Sequence, residues 1–440
     1  MKIIWNTYGP QLLFCASLIF TLEANAQSAE EPNPDVYASL TLESVIDDNA
    51  TQREDDEDKI REQQNRLSLD FGWAYTMGPN ILRGDYIYSA EEFTRDSQRR
   101  ESNFVGASAL HLEAFSNVMG IDLAHDRRLV LGDPSASITS SNTQELETVN
   151  ASPYIQTRET AAGAFKLTGL YAQTRYPELD FGDSETVGAE GQWLRSLSPI
   201  RRVGARARGA RSSFSDFPER DYDYQRASLF LNTALRLWSY EIEVGSDRIE
   251  TSAAGEQSDS AFYRVSANYL LGQSNFSLSS YQQQTDSNNV NSNVSALGNI
   301  SVGANISDQN DFDIVDSRST RVGLSRPVCR RCDVAVSVVF NEIDYKTIKI
   351  NNVDTVFGTA SLDYRLPSSI TVRSSLSYRN SDFPNDAAQN ATSHIFRVLL
   401  QRNASEHLEY GLEYQREMQD TARANSVANV FGAFVRLSQE

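Results

Sequence analysis

Few side chains in this sequence stand at spacings that do covalent chemistry. Cys329-Arg330-Arg331-Cys332 holds two of the three cysteines, and Cys15 lies far away in an N-terminal apolar run. A C-x-x-C pair is a redox motif inside a βαβ setting, and a structural zinc would need two further ligands. No βαβ pattern surrounds Cys329 and Cys332, no further ligand is close in sequence, and Pro327 marks a turn. A small disulfide clamping that turn in an oxidising compartment is the expectation. The four histidines, His111, His125, His394 and His407, make no H-E-x-x-H helix or ligand cluster, and no G-x-S-x-G elbow occurs. The sequence offers no catalytic residue, no cofactor-binding motif and no metal site, so a protein that is not an enzyme is expected. A Ser/His or Asp/His pair assembled across strands is the one catalytic arrangement that spacing leaves open.

Charge is the second kind of chemistry. Arg202, Arg206 and Arg208 alternate with Val203, Ala205 and Ala207, which puts the three guanidinium groups on one face of a strand. By the same parity Arg226, Arg264 and Arg373, with Arg365 and Arg379, share the polar face of their own strands. If those faces line a confined pore, the lining is basic and favours anions. The alternative is that the arginines pair with Glu241, Glu243, Asp363, Glu409 and Glu413 and stiffen a filled interior. The acidic run from Asp47 to Asp58 lacks the spacing and glycine of a calcium loop. It suits a solvated loop bridged to lipopolysaccharide by divalent ions. The formal charge of −19 argues against nucleic acid as a partner.

The elements that must position these groups are strands. Leu67, Leu69, Phe71, Trp73, Tyr75 and Met77 take one face of a segment whose other face is Ser68, Asp70, Gly72, Ala74 and Thr76. The same alternation marks 36–42, 82–89, 238–244, 263–271, 356–365, 370–379 and 408–415, with the charges held to one parity. Lipid on the apolar side explains that restriction, because Arg or Lys near the midplane costs roughly 2–4 kcal/mol. Short links at 78–80, 116–117, 237, 272–274 and 367–369 fall between long polar ones such as 46–64, 126–145, 247–259 and 284–317. Short turns on one side and long loops on the other are the habit of outer-membrane barrels. The pattern predicts an all-β fold, a transmembrane antiparallel up-and-down β-barrel of about 20 strands within a range of 16–22. It occupies 35–440, after a signal peptide at 1–26 and a lead-in at 27–34. Lys2, the apolar run Leu12 to Leu22 and Ala24-Asn25-Ala26 supply the signal features. No run of 18 apolar residues follows them, so helical membrane spans are excluded. A secreted β-sandwich shares the alternation and is the soluble alternative.

Three stretches carry a family resemblance: LTLESVIDDNAT at 40–51, LVLGDPSASITSSNT at 129–143, and ETVNASPYIQTR at 147–158 with Ser152-Pro153-Tyr154. The first third of the chain resembles outer-membrane β-barrels encoded with exopolysaccharide and PEP-CTERM (exosortase) systems, of β-barrel porin type. The resemblance implies a bacterial outer-membrane location and a channel or accessory role in exopolysaccharide export or surface assembly. It carries over no site residue. Outer-membrane lipid, lipopolysaccharide, the outer-membrane assembly machinery, and a polysaccharide or its export apparatus are the partners implied. A general porin or solute channel, and a structural or adhesive barrel with a filled lumen, remain the alternatives.

Overall fold

A computed structural model describes residues 35–49, 60–95, 101–115, 118–131, 143–177, 183–252, 255, 257–287, 300–301, 313–367, 369–421 and 425–439. The expected signal peptide and lead-in at 1–34, the acidic residues 50–59, and most of 284–317 lie outside these residues. The strands in chain order are β1 (Asp35–Asp47), β2 (Glu62–Met77), β3 (Asn80–Phe93), β4 (Glu101–Ala114), β5 (Met119–Leu131), β6 (Thr143–Gln156) and β7 (Ala164–Arg175). Next come β8 (Ser184–Ser198), β9 (Arg201–Phe214), β10 (Tyr222–Ala234), β11 (Trp238–Thr251), β12 (Gln257–Leu271), β13 (Ser274–Asp286) and the two-residue β14 (Ile300–Ser301). The set ends with β15 (Ile314–Cys329), β16 (Cys332–Tyr345), β17 (Val353–Leu366), β18 (Ile370–Asp382), β19 (Ala391–Asn403), β20 (Leu408–Thr421) and β21 (Asn425–Gln439).

All strands but β14 pair antiparallel with their neighbours in sequence, and β1 pairs with β21 from Ala38↔Gln439 to Asp47↔Val430. The sheet is therefore a closed barrel of twenty strands. Strands about 4.8 Å apart and tilted about 40° close such a ring at a radius of roughly 20 Å. Among the described residues no helix is long and apolar enough to cross a membrane; the helical pieces are single 3-10 turns such as Pro218–Arg220.

Alternation decides which side chain faces which way. Leu229, Val244, Leu412 and Phe431 are 64%, 52%, 60% and 57% exposed, on the parity that carries the apolar rows. Their neighbours of opposite parity, such as Ser228 and Glu243, are buried. Contiguous exposed rows of Leu, Val and Phe around a closed sheet face hydrocarbon. The other parity faces the interior, where side chains from non-adjacent strands converge on common cavities. At the long-link end three apolar clusters seal the inner wall: Val130, Leu146 and Tyr176; Phe214, Tyr222, Ile249 and Ile314; and Val315, Ile343, Tyr345, Val353 and Phe383.

The ladder opens at two places near that end. β3–β4 pairing reaches Glu91↔Glu101, but β4–β5 stops at Gly106↔Arg127. β13–β15 pairing reaches Asp286↔Ile314, but β12–β13 stops at Tyr263↔Gln282. Ile300–Ser301 pairs in parallel with Leu129–Val130 on β5.

The one-parity rule has an exception on β5 and β6. Register through Gly106, Tyr86 and Phe71 to Ala38 puts Arg127 on the outward face, with His125, Glu145 and Glu147. These charges are tolerated because they are paired. Arg127 bridges Glu145, and His125 Nε2 lies 3.1 Å from Glu147 while its Nδ1 lies 2.6 Å from the Tyr86 hydroxyl. Mutual attraction offsets part of the cost that either charge would carry alone.

Candidate functional site in the barrel interior

The interior is built from inward-facing positions of β5 to β13. On β9 the inward positions run Arg202, Gly204, Arg206, Arg208, Ala210 and Ser212, and the ring of Phe230 lies over the backbone at Gly204. A Cβ at Gly204 would stand 2.3 Å from Phe230 Cζ and 2.3 Å from the Trp193 carbonyl oxygen, so only glycine lets that ring lie flat. The ring in turn supports Arg206, whose guanidinium carbon is 4.6 Å from its centroid.

Acidic partners take up part of this set. Arg206 Nη1 donates to Glu243 Oε2 at 2.8 Å, and Ser228 Oγ donates to the other oxygen at 2.5 Å. Arg226 grips Asp247 with both Nε and Nη2, at 2.7 and 2.9 Å, and lies 3.6 Å over the Phe262 ring. Arg373 donates to Asp363 at 3.0 Å, and Arg365 to Asp333 at 3.4 Å. Arg379 is buried on the same inward parity. Arg202, Arg208 and Arg264 enter no ion pair among the described residues. Arg208 lies 5.7 Å from the Tyr224 ring, and its Nε is buried without a hydrogen-bond partner. The interior thus combines stiffening pairs with a few guanidinium groups that enter no ion pair among the described residues.

Above this wall the outer ends of β13 and β15 lean inward. Beyond Gln282 the β13 strand leaves the β12 ladder, and its side chains and backbone reach β10, β11 and the far end of β12 instead. The Gln284 N–H donates to Asp247 Oδ2 at 3.0 Å, its side-chain amide donates to Ser258 Oγ at 2.7 Å, and the Tyr222 hydroxyl donates to Asp286 at 2.6 Å. Ile314 packs among Phe214, Tyr222 and Ile249. Asp247 is the hub, since it also accepts from the Tyr224 hydroxyl at 3.1 Å, and it is 1% exposed. Between this arm and the wall of β5–β10 lies a cavity of ≈ 420 Å³. Asp126, Arg128, Thr148, Asn150, Thr174, Thr186, Arg208, Ser212, Tyr224 and Arg226 line it.

Parity alone singles out Arg202, Arg206, Arg208, Arg226, Arg264 and Arg373. It misses Asp247, Gln284, Asp286, Asp126 and Arg128, which fall in stretches read as long links. Cys329 and Cys332 are opposed across the β15–β16 turn and disulfide-bonded, with their Cα atoms 4.8 Å apart. The turn lies at the short-link end. His111 pairs with Asp122 at 2.6 Å inside the barrel, His394 packs on Tyr378, and His407 Nδ1 lies 3.1 Å from the Ser438 carbonyl oxygen. Among the described residues no group of three or more His, Cys, Asp or Glu is arranged to hold a metal ion.

A closed antiparallel barrel with an apolar outer wall and a polar interior is an outer-membrane type of β-barrel, of porin-like build. No family model matches the sequence, and no curated protein matches it. Solved structures similar to it include OpdK of Pseudomonas aeruginosa with vanillate, at 12% identity and a TM-score of 0.42 over 92% of this chain and 99% of that one. OccAB3 of Acinetobacter baumannii matches at 10% identity and a TM-score of 0.38, over 92% and 99%. A mutant of the ferric enterobactin receptor PfeA from P. aeruginosa matches at 10% and 0.49, over 92% and 80%.

Proposed function

We propose that this protein is an anion-favouring channel of the bacterial outer membrane, reached through a cleaved signal peptide at 1–26, and that it serves exopolysaccharide export or surface assembly. The observation that carries the channel reading is the set of inward arginines, Arg202, Arg208 and Arg264, that form no ion pair among the described residues. A fixed positive charge on the wall of a low-dielectric pore concentrates anions along it. The family resemblance in the first third of the chain supports the link to polysaccharide. On this reading the short turns and the Cys329–Cys332 disulfide face the periplasm, and the long links face outward, where lipopolysaccharide is the neighbour.

Single-channel recording of the refolded mature protein in a planar bilayer tests the channel. A steady current with a reversal potential displaced toward the anion under a salt gradient is expected. A folded, inserted and silent barrel refutes it. The inward arm of β13 and β15 favours a second reading, a barrel with a filled lumen acting as an accessory or structural part. Deletion of the gene separates export from general solute uptake: secreted polysaccharide falls in the first case and is unchanged in the second.

A further inference from the structure

We propose that the cavity between the inward arm and the β5–β10 wall binds a sugar acid, with the carboxylate on Arg208 and the ring hydroxyls on the rows of Thr and Ser beside it. This deepens the anion-channel reading and rests on it for its role in transport. Three arginines reach the cavity, but they are not equivalent. Arg226 is committed to Asp247 by two hydrogen bonds, and Arg128 has Asp126 3.5 Å away. Among the described residues Arg208 has no ion pair, and its Nε is buried without a hydrogen-bond partner beside the Tyr224 ring. A single available guanidinium matches a monoanion, and its fork of donors suits a carboxylate better than a spherical ion.

The remaining lining selects for more than charge. Thr148, Thr174, Thr186 and Ser212 come from four successive strands and face the same space. Thr186 and Ser212 are hydrogen-bonded to each other at 2.8 Å. Hydroxyls both donate and accept, so this row can exchange hydrogen bonds with a polyol, whereas chloride or a short fatty acid would leave it to water. The ≈ 420 Å³ of the cavity lies within the size of ordinary small-ligand sites.

The test is titration calorimetry on the full mature chain in detergent, with D-galacturonate as the probe and galactose and propionate as controls, each variant first shown to be folded by its heat-modifiable mobility. Galacturonate should bind at least about tenfold more tightly than either control, since each lacks one half of the recognition. Arg208→Gln should weaken galacturonate about tenfold or more and leave galactose unchanged. Asp126→Asn, which removes the one carboxylate that lines the cavity among the described residues, should tighten it severalfold. Equal binding of galacturonate and propionate, undiminished binding by Arg208→Gln, or no tightening by Asp126→Asn overturns the site. The channel reading fails separately. A barrel that binds galacturonate through Arg208 yet is silent in the bilayer keeps the site and loses the pore. A conducting barrel with no such binding does the reverse.

Discussion

Replacing Asp247 with Asn removes one charge from a fully enclosed hub while keeping its shape. The carboxylate accepts from Arg226 twice, from the Tyr224 hydroxyl and from the Gln284 backbone. Asn keeps one acceptor and turns the other into a donor, which would face an Arg226 N–H in either orientation, together with the Gln284 N–H in one of them. Breaking a buried ion pair by neutralising one partner costs about 3–5 kcal/mol. Arg226 is 12% exposed at its side chain and keeps its place over Phe262, so the lower end applies. A loss of about 3 kcal/mol is about a hundredfold in the folded-to-unfolded ratio. The arm should be released as well, because Gln284 is tied to β11 through this carboxylate. Urea unfolding in lipid vesicles, followed by tryptophan fluorescence, reads the first effect, and single-channel conductance reads the second as an increase. Arg226→Gln combined with Asp247→Asn should cost less than the sum of the two. A variant within about 0.5 kcal/mol of the wild type, with unaltered conductance and additive double-mutant energies, would refute the assignment of Asp247 as the hub.

Leu229→Arg puts a charge on the most exposed large apolar side chain of the β10 outer face, and a cost of about 2–4 kcal/mol is expected near the midplane, read as loss of the folded band on unheated gels. Gly204→Val should destabilise more than Ala205→Val beside it, because its Cβ meets Phe230 and the Trp193 carbonyl oxygen at 2.3 Å; comparison of the two urea midpoints checks this. Reducing Cys329–Cys332, or replacing both with Ser, should lower stability by no more than about 2 kcal/mol, since the loop closed is only a tight turn. A larger shift in the reduced protein's unfolding midpoint would contradict that.

The wall of this barrel was legible in the sequence because lipid imposes a period of two. Leu67 to Met77 and Leu408 to Tyr414 are read correctly for that reason, and with them the count of twenty strands. The strand ends were not legible. Past the apolar belt both faces are polar: Arg211, Asp223, Arg248 and Glu250 face outward there by register, so the alternation that marks a strand disappears while the hydrogen-bonded ladder continues. Asp247, Asp126 and Asp286 sit in those extensions, which read as loop. The inward lean of the arm depends on where β12 and β13 part, and only backbone pairing records that. On β5 and β6 the outward Arg127–Glu145 pair breaks the parity rule because each charge neutralises the other, a relation between strands that no single segment displays.

The pairing of β1 with β21 has a consequence for how the barrel is made. Every other antiparallel neighbour lies one connection away along the chain, whereas this contact joins Ala38 to Gln439. Closing so long a loop costs only about 3 kcal/mol more than closing a hairpin, because the entropy grows with the logarithm of length. Until it closes, however, the growing sheet carries two raw edges whose amides and carbonyls cannot be left in hydrocarbon. Assembly is therefore a commitment made once: nineteen strands have no stable resting form in lipid, and both edges must stay sheltered until the last strand meets the first.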